Sequence, residues 1–571
     1  MKCVLLRQAD AFNHMTLRRI NILAIGITLL AIIFILKNSE TNGPIFWHLL
    51  SVHDLPAAWL MLVILMFGHW FSTRISGDGF WVERLLLTLD RRRYVAAFVL
   101  WVVLCLGSLW VYRSHPLSMD EYAAVFQAKI FAAGAMHGQF PPDLLDNLIP
   151  RGFQNHFLMV NRNTGAVFSA YWPGFSLLLA PFVWLGIPWA CNPTLAVASF
   201  LLIGRIARDL SDSPLAVGWA MLFALASPAF VANGITYYSM PAHLLFNLGF
   251  AWLLLAPSPK RLILAGLVGG YALVLHNPFP HIVFALPWIV WLATRRGQGF
   301  RNLTFLAAGY LPMGLLLGVG WSLWLQETVR AGMQVASVPH AAGSVAPDLL
   351  ARLIRLLQGF VSLLNLPDEE ISYARLGGLV KLWLWASPLL LLLAWLGWRG
   401  DRNPSVRMFG ASVLLTFFAY FLIRFDQGHG WGYRYFHSAW GALPVLAALG
   451  AVKLTSMDGP RVMRQLMLLA LLSLVSANAL RFAQMGDFIA SHLDQFPPRV
   501  IAEQRIVLHN GLGYYAYDLI QNDPWLRGSE IVFIAKPADK ERLLKHFPDM
   551  HVIDSNKYGA TYSGAVSKTR P

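Results

Sequence analysis

YVAAFVLWVVLCLGSLWVY, residues 94–112, is nineteen residues without a charged side chain, and a few residues further on, at 118–129, the chain reads SMDEYAAVFQAK. The first stretch has the length of a membrane-crossing helix, which takes roughly 17 to 25 apolar residues. Asp120 and Glu121 therefore stand side by side where the chain leaves a bilayer. An exposed acid pair is ordinarily a solvated turn, because water makes its charge cheap. This pair instead leads into EYAAVFQAKIFAAG, an apolar amphipathic helix that holds it near the membrane surface. On a helix beginning at Asp120, Gln127 shares its face, Lys129 points nearer to Glu121, and the two acids diverge by about 100° and need not do the same job.

The rest of the chain agrees with a membrane setting. Of 571 residues, 56% are hydrophobic and 13% charged, with a mean hydropathy of +0.52, outside the range of soluble globular proteins. The formal charge of +15 is an orientation signal rather than the footprint of a nucleic acid, since basic residues collect in cytoplasmic loops. Cys3, Cys105 and Cys191 form neither a disulfide framework nor a metal motif. The apolar run after Met15–Arg19 lacks a small-residue cleavage site and reads as an uncleaved first span.

Apolar segments fall near 20–36, 54–71, 94–112, 194–207, 214–233, 241–256, 261–276, 280–294, 303–325, 379–398, 408–424, 438–453 and 464–482, which predicts about thirteen spans. Their interiors read as nearly free of charge. Lys2, Arg7, Arg18 and Arg19 before the first span, and Arg74, Arg84 and Arg91–Arg93 after the second, place both flanks in the cytoplasm. The loop of Asp120 is then outside. Later loops alternate consistently only if 173–188, with prolines at 173, 181 and 188, does not cross, so it is expected to be re-entrant or interfacial. Outside lie 113–172, 326–378 and everything after 483. PDLLARLIRLLQGFVSLL in the middle loop reads either as an amphipathic helix on the membrane or as one packed against the spans. The tail reads as strand, helix, strand, helix, strand, through RIVLHN, GYYAYDLIQ, EIVFIA, DKERLLKHF and HVID. The predicted organisation is a two-span extension at 1–93, a membrane module at 94–482, and a small α/β domain at 483–571: an all-α polytopic membrane protein with an α/β extramembrane domain.

Further polar groups collect on the side of Asp120. Tyr237, Tyr238 and His243 flank one turn, His276 and Asn277 another, and GHGWGYRYF supplies His429, Tyr433, Arg434 and Tyr435. Tyrosines suit the interfacial belt. An arginine among aromatics at the membrane edge suits a phosphate, because its fork of donors stays charged. No GxxxxGK[ST] is present, so the chain carries no visible nucleotide-hydrolysing motor. HNPFPH spaces His276 and His281 five apart without an evident third ligand. GLGYYA, residues 511–516, matches GxGxxA formally but lacks the acidic residue of a dinucleotide site.

SMDEYAAVFQAKIFAAG after an early span, SAYWPGFSLLLAPF closing the outer loop, and GYRYFHSAWGALP near the end together resemble the C-type membrane glycosyltransferases. More narrowly they resemble the bacterial branch related to protein mannosyltransferases and aminoarabinose transferases, over roughly residues 94–480. The resemblance implies transfer of a hexosyl or pentosyl group from a polyprenyl-phosphate carrier to a glycan, lipid or protein acceptor at the outer face of a bacterial inner membrane, with inversion. It implies an acidic catalytic residue at Asp120 or Glu121. Lys129 and Arg434 become candidates to receive the phosphate, with Gln127, Tyr435, Tyr171, His276 and His243 around the substrate, and Trp172 along its path. The resemblance fixes no cofactor; a divalent metal ion is a candidate, because some relatives hold one near the acid. The chain departs from the pattern in having Tyr122, Ala123 and Ala124 where a basic residue closely follows the acid pair, and in having two spans ahead of the catalytic loop. Two other readings fit a multispan chain: a transporter or lipid flippase, which predicts ionisable groups inside spans and an internal repeat, and a non-catalytic partner of an envelope glycan machine.

Overall fold

The computed structural model describes residues 16–39, 43–72, 74, 78–330, 358, 361–362, 364–499, 505–535 and 539–563. The amphipathic segment predicted around 347–364 lies almost wholly outside the described residues, as do Cys3, Lys2 and Arg7. The predicted apolar segments are largely helical, but 214–233 is broken at 226–227 and 379–398 at 385–389, where Leu389 adopts positive φ. Among the described residues seven helices are long and apolar enough to cross a membrane: Leu17–Lys37, Ile45–Phe71, Arg93–Val111, Pro188–Leu210, Gly299–Val329, Pro404–Leu422 and Pro460–Leu493. An eighth is formed if Arg434–Trp440 and Ala442–Met457, which meet at a 55° bend, act as one. The remaining predicted spans fall on shorter helices, among them Leu215–Leu225, Met240–Leu254, Pro259–Leu273 and Phe279–Ala293. The chain is a multipass membrane protein.

Two helix crossings show how the bundle closes. Pro259–Leu273 meets Gly299–Met313 at Gly266 and Gly309, and Leu390–Gly400 meets Ala442–Asp458 at Gly397 and Gly450. A methyl group on any of the four would strike the other helix's backbone: Leu306 and Ile263 at the first crossing, Leu446 and Leu393 at the second. In lipid, where apolar burial drives little association, this backbone-to-backbone approach is what small residues supply.

The 173–188 stretch forms the helix Gly174–Trp184, eleven residues with Pro181 inside it. At 1.5 Å per residue it spans ~16 Å, too short to cross a ~30 Å apolar layer alone. It is seated by the backbone amides of Trp172, Gly174 and Phe175, which donate to the carbonyls of His276, Val274 and Leu275. Gly174 has no side chain because the Val274 carbonyl occupies that space.

The span interiors are not free of charge. Asp54, Lys381 and Arg481 meet inside the bundle, with side chains 1–2% exposed, at 2.6 Å for Lys381 and 2.8 Å for Arg481. Hydropathy placed each at a span edge, but the helices Ile45–Phe71, Glu369–Leu384 and Pro460–Leu493 run past them. Trp385 donates to Asp54 at 2.7 Å, and Arg481 lies over the Trp385 ring at 4.0 Å. Lys381 lies 5.2 Å from the Phe46 ring. The helix Ile45–Phe71 is thereby locked into the bundle.

The tail forms a four-stranded sheet. Glu530–Ile534 runs parallel to Arg505–His509, which pairs antiparallel with Gly559–Ser563, itself antiparallel to His551–Asn556. The three predicted strands and the helix Lys540–His546 are present, and Gly559–Ser563 is an additional strand. The helix predicted through GYYAYDLIQ is instead one 3₁₀ turn, Ala516–Leu519. Gly511, Gly513 and Tyr515 all adopt positive φ, which breaks a right-handed helix before it can form. The sheet shares one hydrophobic core with the 113–172 loop: Tyr122, Phe126, Phe140 and Leu148 pack with Ile506, Ile531, Phe533 and Phe547. In that loop Gly138–Gln139, Ala166–Ser169 and Leu158–Val160 form a small antiparallel sheet.

Candidate active site

The helix Met119–Ala132 carries both acids and turns them to different surroundings. Glu121 is fully buried. Its carboxylate accepts from the Tyr112 hydroxyl at 2.9 and 3.1 Å, from the Leu117 amide at 2.6 Å and from the Tyr237 amide at 2.8 Å. It joins the end of one span, the start of its own helix and the 236–239 turn. Burial pushes its pKa up to about 7, against the pull of the Tyr237 and Leu117 amides and the Tyr112 hydroxyl. Native Glu121 therefore holds its proton at pH values where the unfolded chain has released it, so its contribution is complete below the unfolded pKa and is lost as pH rises through about 7. Glu121→Gln is expected to cost ~1–3 kcal/mol, because the amide's NH₂ must face an N–H donor. Thermal unfolding in detergent from pH 5 to 8 checks this: the variant's midpoint lies below wild type and loses the fall near neutrality.

Asp120 faces a cavity of about 980 Å³. The Tyr171 hydroxyl donates to one carboxylate oxygen, and Arg434 pairs with the other at 2.7 Å. Burial alone would raise the Asp120 pKa, but the Arg434 guanidinium, aided by the Tyr171 hydroxyl, holds it below the usual carboxylate range. Arg434 also donates to the Gln427 carbonyl, lies 4.5 Å from the Tyr238 ring centre, and keeps a buried Nε without a partner. Thus the predicted acid and the predicted phosphate-binding cation form one unit. His276 stacks on Tyr171 with ring centres 3.8 Å apart, and burial pushes its pKa down to about 4, leaving the imidazole neutral.

Of the sequence candidates, Asp120, Tyr171, His243, His276, Arg434 and Tyr435 line the cavity, as does Trp172. Glu121, Gln127 and Lys129 do not. Gln127 is buried, accepting from the Ser169 amide at 2.9 Å and donating to the Met136 carbonyl at 3.2 Å, which ties its helix to the small sheet. Lys129 lies nine residues beyond Asp120, ~14 Å along the helix. The cation beside Asp120 is Arg434, 314 residues beyond it in sequence.

The sequence reading did not single out Asp426, Gln427, Tyr515 or Asp518. Asp518 accepts from the Met119 amide at 3.2 Å, capping the first turn of the helix that bears Asp120. Its other oxygen lies 3.3 Å from His429 Nε2. The GYYAYD segment was read as an ordinary helix of a separate domain, which hid both roles. The membrane-helix side of the cavity is apolar, through Phe279, Gly318, Val319, Leu364, Ile423 and Phe425.

Among the described residues no three His, Cys, Asp or Glu side chains converge on a metal site. The acid that would anchor a divalent ion has both oxygens engaged, one by an arginine. This donor set does not suit a divalent cation.

No family model and no curated protein matches the chain. Solved structures do. The crystal structure of ArnT from Cupriavidus metallidurans bound to undecaprenyl phosphate superposes with a TM-score of 0.52 at 13% identity, covering 82% of this chain and 97% of that one. Its apo crystal structure gives 0.43, also at 13% identity, covering 82% and 98%. The chain therefore shares the fold of the undecaprenyl-phosphate-bound ArnT structure.

Proposed function

We propose that the protein transfers a sugar from a polyprenyl-phosphate donor to an envelope glycan, lipid or protein acceptor at the outer face of a bacterial inner membrane, with inversion. The observation that carries this is the Asp120–Arg434 unit in a cavity that is polar at one end and apolar along its membrane helices. The ArnT structure with undecaprenyl phosphate bound supports a carrier of that kind. Thirteen crossings, with 174–184 re-entrant, keep the cavity and the tail outside.

In this reading the prenyl chain lies against Phe279, Val319, Leu364 and Ile423, and the phosphate reaches Arg434. The bond between the anomeric carbon and the phosphate oxygen breaks, and polyprenyl phosphate leaves with the electron pair. The acceptor oxygen bonds to the opposite face of that carbon, and its proton passes to Asp120. Before the phosphate arrives Arg434 makes Asp120 a weak base. A phosphate that draws Arg434 away raises its basicity, coupling donor binding to acceptor activation. Positive charge developing on the sugar ring is stabilised by the same carboxylate. The buried Asp54 cluster does not favour a transporter, because its carboxylate already has both oxygens engaged within the bundle.

Mass spectrometry of envelope glycans and lipids from cells lacking the gene tests the reading. One sugar mass is expected to vanish and to return with the wild-type gene. An unchanged profile in the deleted cells would sink it.

A further inference from the structure

One helical turn beyond Arg434, the cavity wall carries polar atoms that the protein leaves unsatisfied. His243 is 2% exposed and neither ring nitrogen has a hydrogen-bond partner; Ser438 is 4% exposed and its hydroxyl has none. Both line the cavity. The backbone fixes them as neighbours. Asn247, one turn after His243, donates to the Ser438 carbonyl at 3.0 Å and so clamps Met240–Leu254 against the turn that follows Arg434.

The contrast with the adjacent histidine is informative. His281 is also buried, but one ring nitrogen meets Asn247 at 2.7 Å and the other meets the Tyr310 hydroxyl at 2.6 Å. One imidazole is saturated inside the bundle, while its neighbour is bare and faces the cavity. Buried polar groups are rarely left unpaired, so a bare pair in a cavity wall marks where a ligand supplies the missing bonds.

The chemistry of the wall narrows that ligand. An imidazole presents one donor and one acceptor, and a serine hydroxyl presents both, which matches sugar hydroxyls that also give and take. Resting on the donor reading above, we propose that His243 and Ser438 form the sugar subsite, beside the phosphate at Arg434, and bind the hydroxyls of the transferred sugar.

The full-length protein in nanodiscs tests this by competition binding with undecaprenyl phosphate, its glucosyl and mannosyl derivatives, and its 4-amino-4-deoxyarabinosyl derivative. At least one glycosyl carrier is expected to bind about tenfold more tightly than bare undecaprenyl phosphate. His243→Ala should weaken that carrier about tenfold and Ser438→Ala about threefold, with bare undecaprenyl phosphate shifted less than twofold. The subsite is overturned if every glycosyl carrier binds no more tightly than bare undecaprenyl phosphate. It is also overturned if His243→Ala weakens bare and glycosylated carriers alike while the circular dichroism melt matches wild type. Failure of the wild-type protein to bind any of the carriers would instead remove the donor reading, and the subsite with it.

Discussion

Asp120→Asn is expected to abolish sugar transfer, with a fall of ~10²–10⁴ in turnover, while the protein reaches the membrane at wild-type levels. The amide keeps the shape of the carboxylate and still accepts from the Tyr171 hydroxyl. In the proposed reaction it loses the negative charge that stabilises a developing oxocarbenium ion and the basicity that takes the acceptor's proton. The ion pair with Arg434 is lost too, but those side chains are 22% and 11% exposed at a cavity wall, so folding should survive. Binding gives the sharper result. Arg434 no longer shares itself with a carboxylate, so undecaprenyl phosphate should bind the variant at least as tightly as wild type. Turnover within about threefold of wild type would show that Asp120 is not the catalytic acid.

The pH profile separates the two acids. Asp120 is held below the usual carboxylate range, so the stability it contributes is lost only as pH falls through that lowered value. It stays ionised across the range in which Glu121, pushed up to about 7, changes state. A neutral-range transition in stability that persists in Asp120→Asn and disappears in Glu121→Gln assigns it to Glu121.

The sequence carried the apolar segments and the place of Asp120 because both are local signals: a run of uncharged residues, and an acid pair just past it. Arg434 stood out as a candidate from its aromatic surroundings, yet its pairing with Asp120 depends on folding across a sequence separation of 314. Helix geometry separated the directions of Asp120 and Glu121, but which of the two meets the cavity depends on the elements packed around their helix. Lys129 was attractive on charge and helix position alone, but the cavity opens at the helix start and leaves it behind. In the tail, alternation of apolar residues revealed strands, whereas three positive φ angles in GLGYY cancelled a helix that composition favours. The separate-domain reading of 483–571 had no means of seeing that its core is shared with the Asp120 loop.

Asp54→Asn is expected to have the largest effect on stability, ~3–5 kcal/mol, because it leaves Lys381 and Arg481 buried against each other without their counter-ion. Both carboxylate oxygens are used, one for each cation, and an amide cannot offset either charge. The loss should appear as poor recovery from membranes and a lowered unfolding temperature in detergent. Arg481 also donates to the His53 carbonyl at 3.0 Å, and His53 stacks on Trp431 at 6.0 Å, three residues before Arg434. Disorder at Asp54 is thus transmitted toward the catalytic cavity. The discriminating variant replaces all three ions, with Asp54→Leu, Lys381→Met and Arg481→Met. Removing a buried ion group together is often neutral, whereas removing one member strands the others. A cluster that only locks Ile45–Phe71 into the bundle predicts that the triple variant recovers both stability and sugar transfer. A cluster that relays charge or gates a transported substrate predicts a folded triple variant without activity, and that outcome would return the protein to the transporter reading.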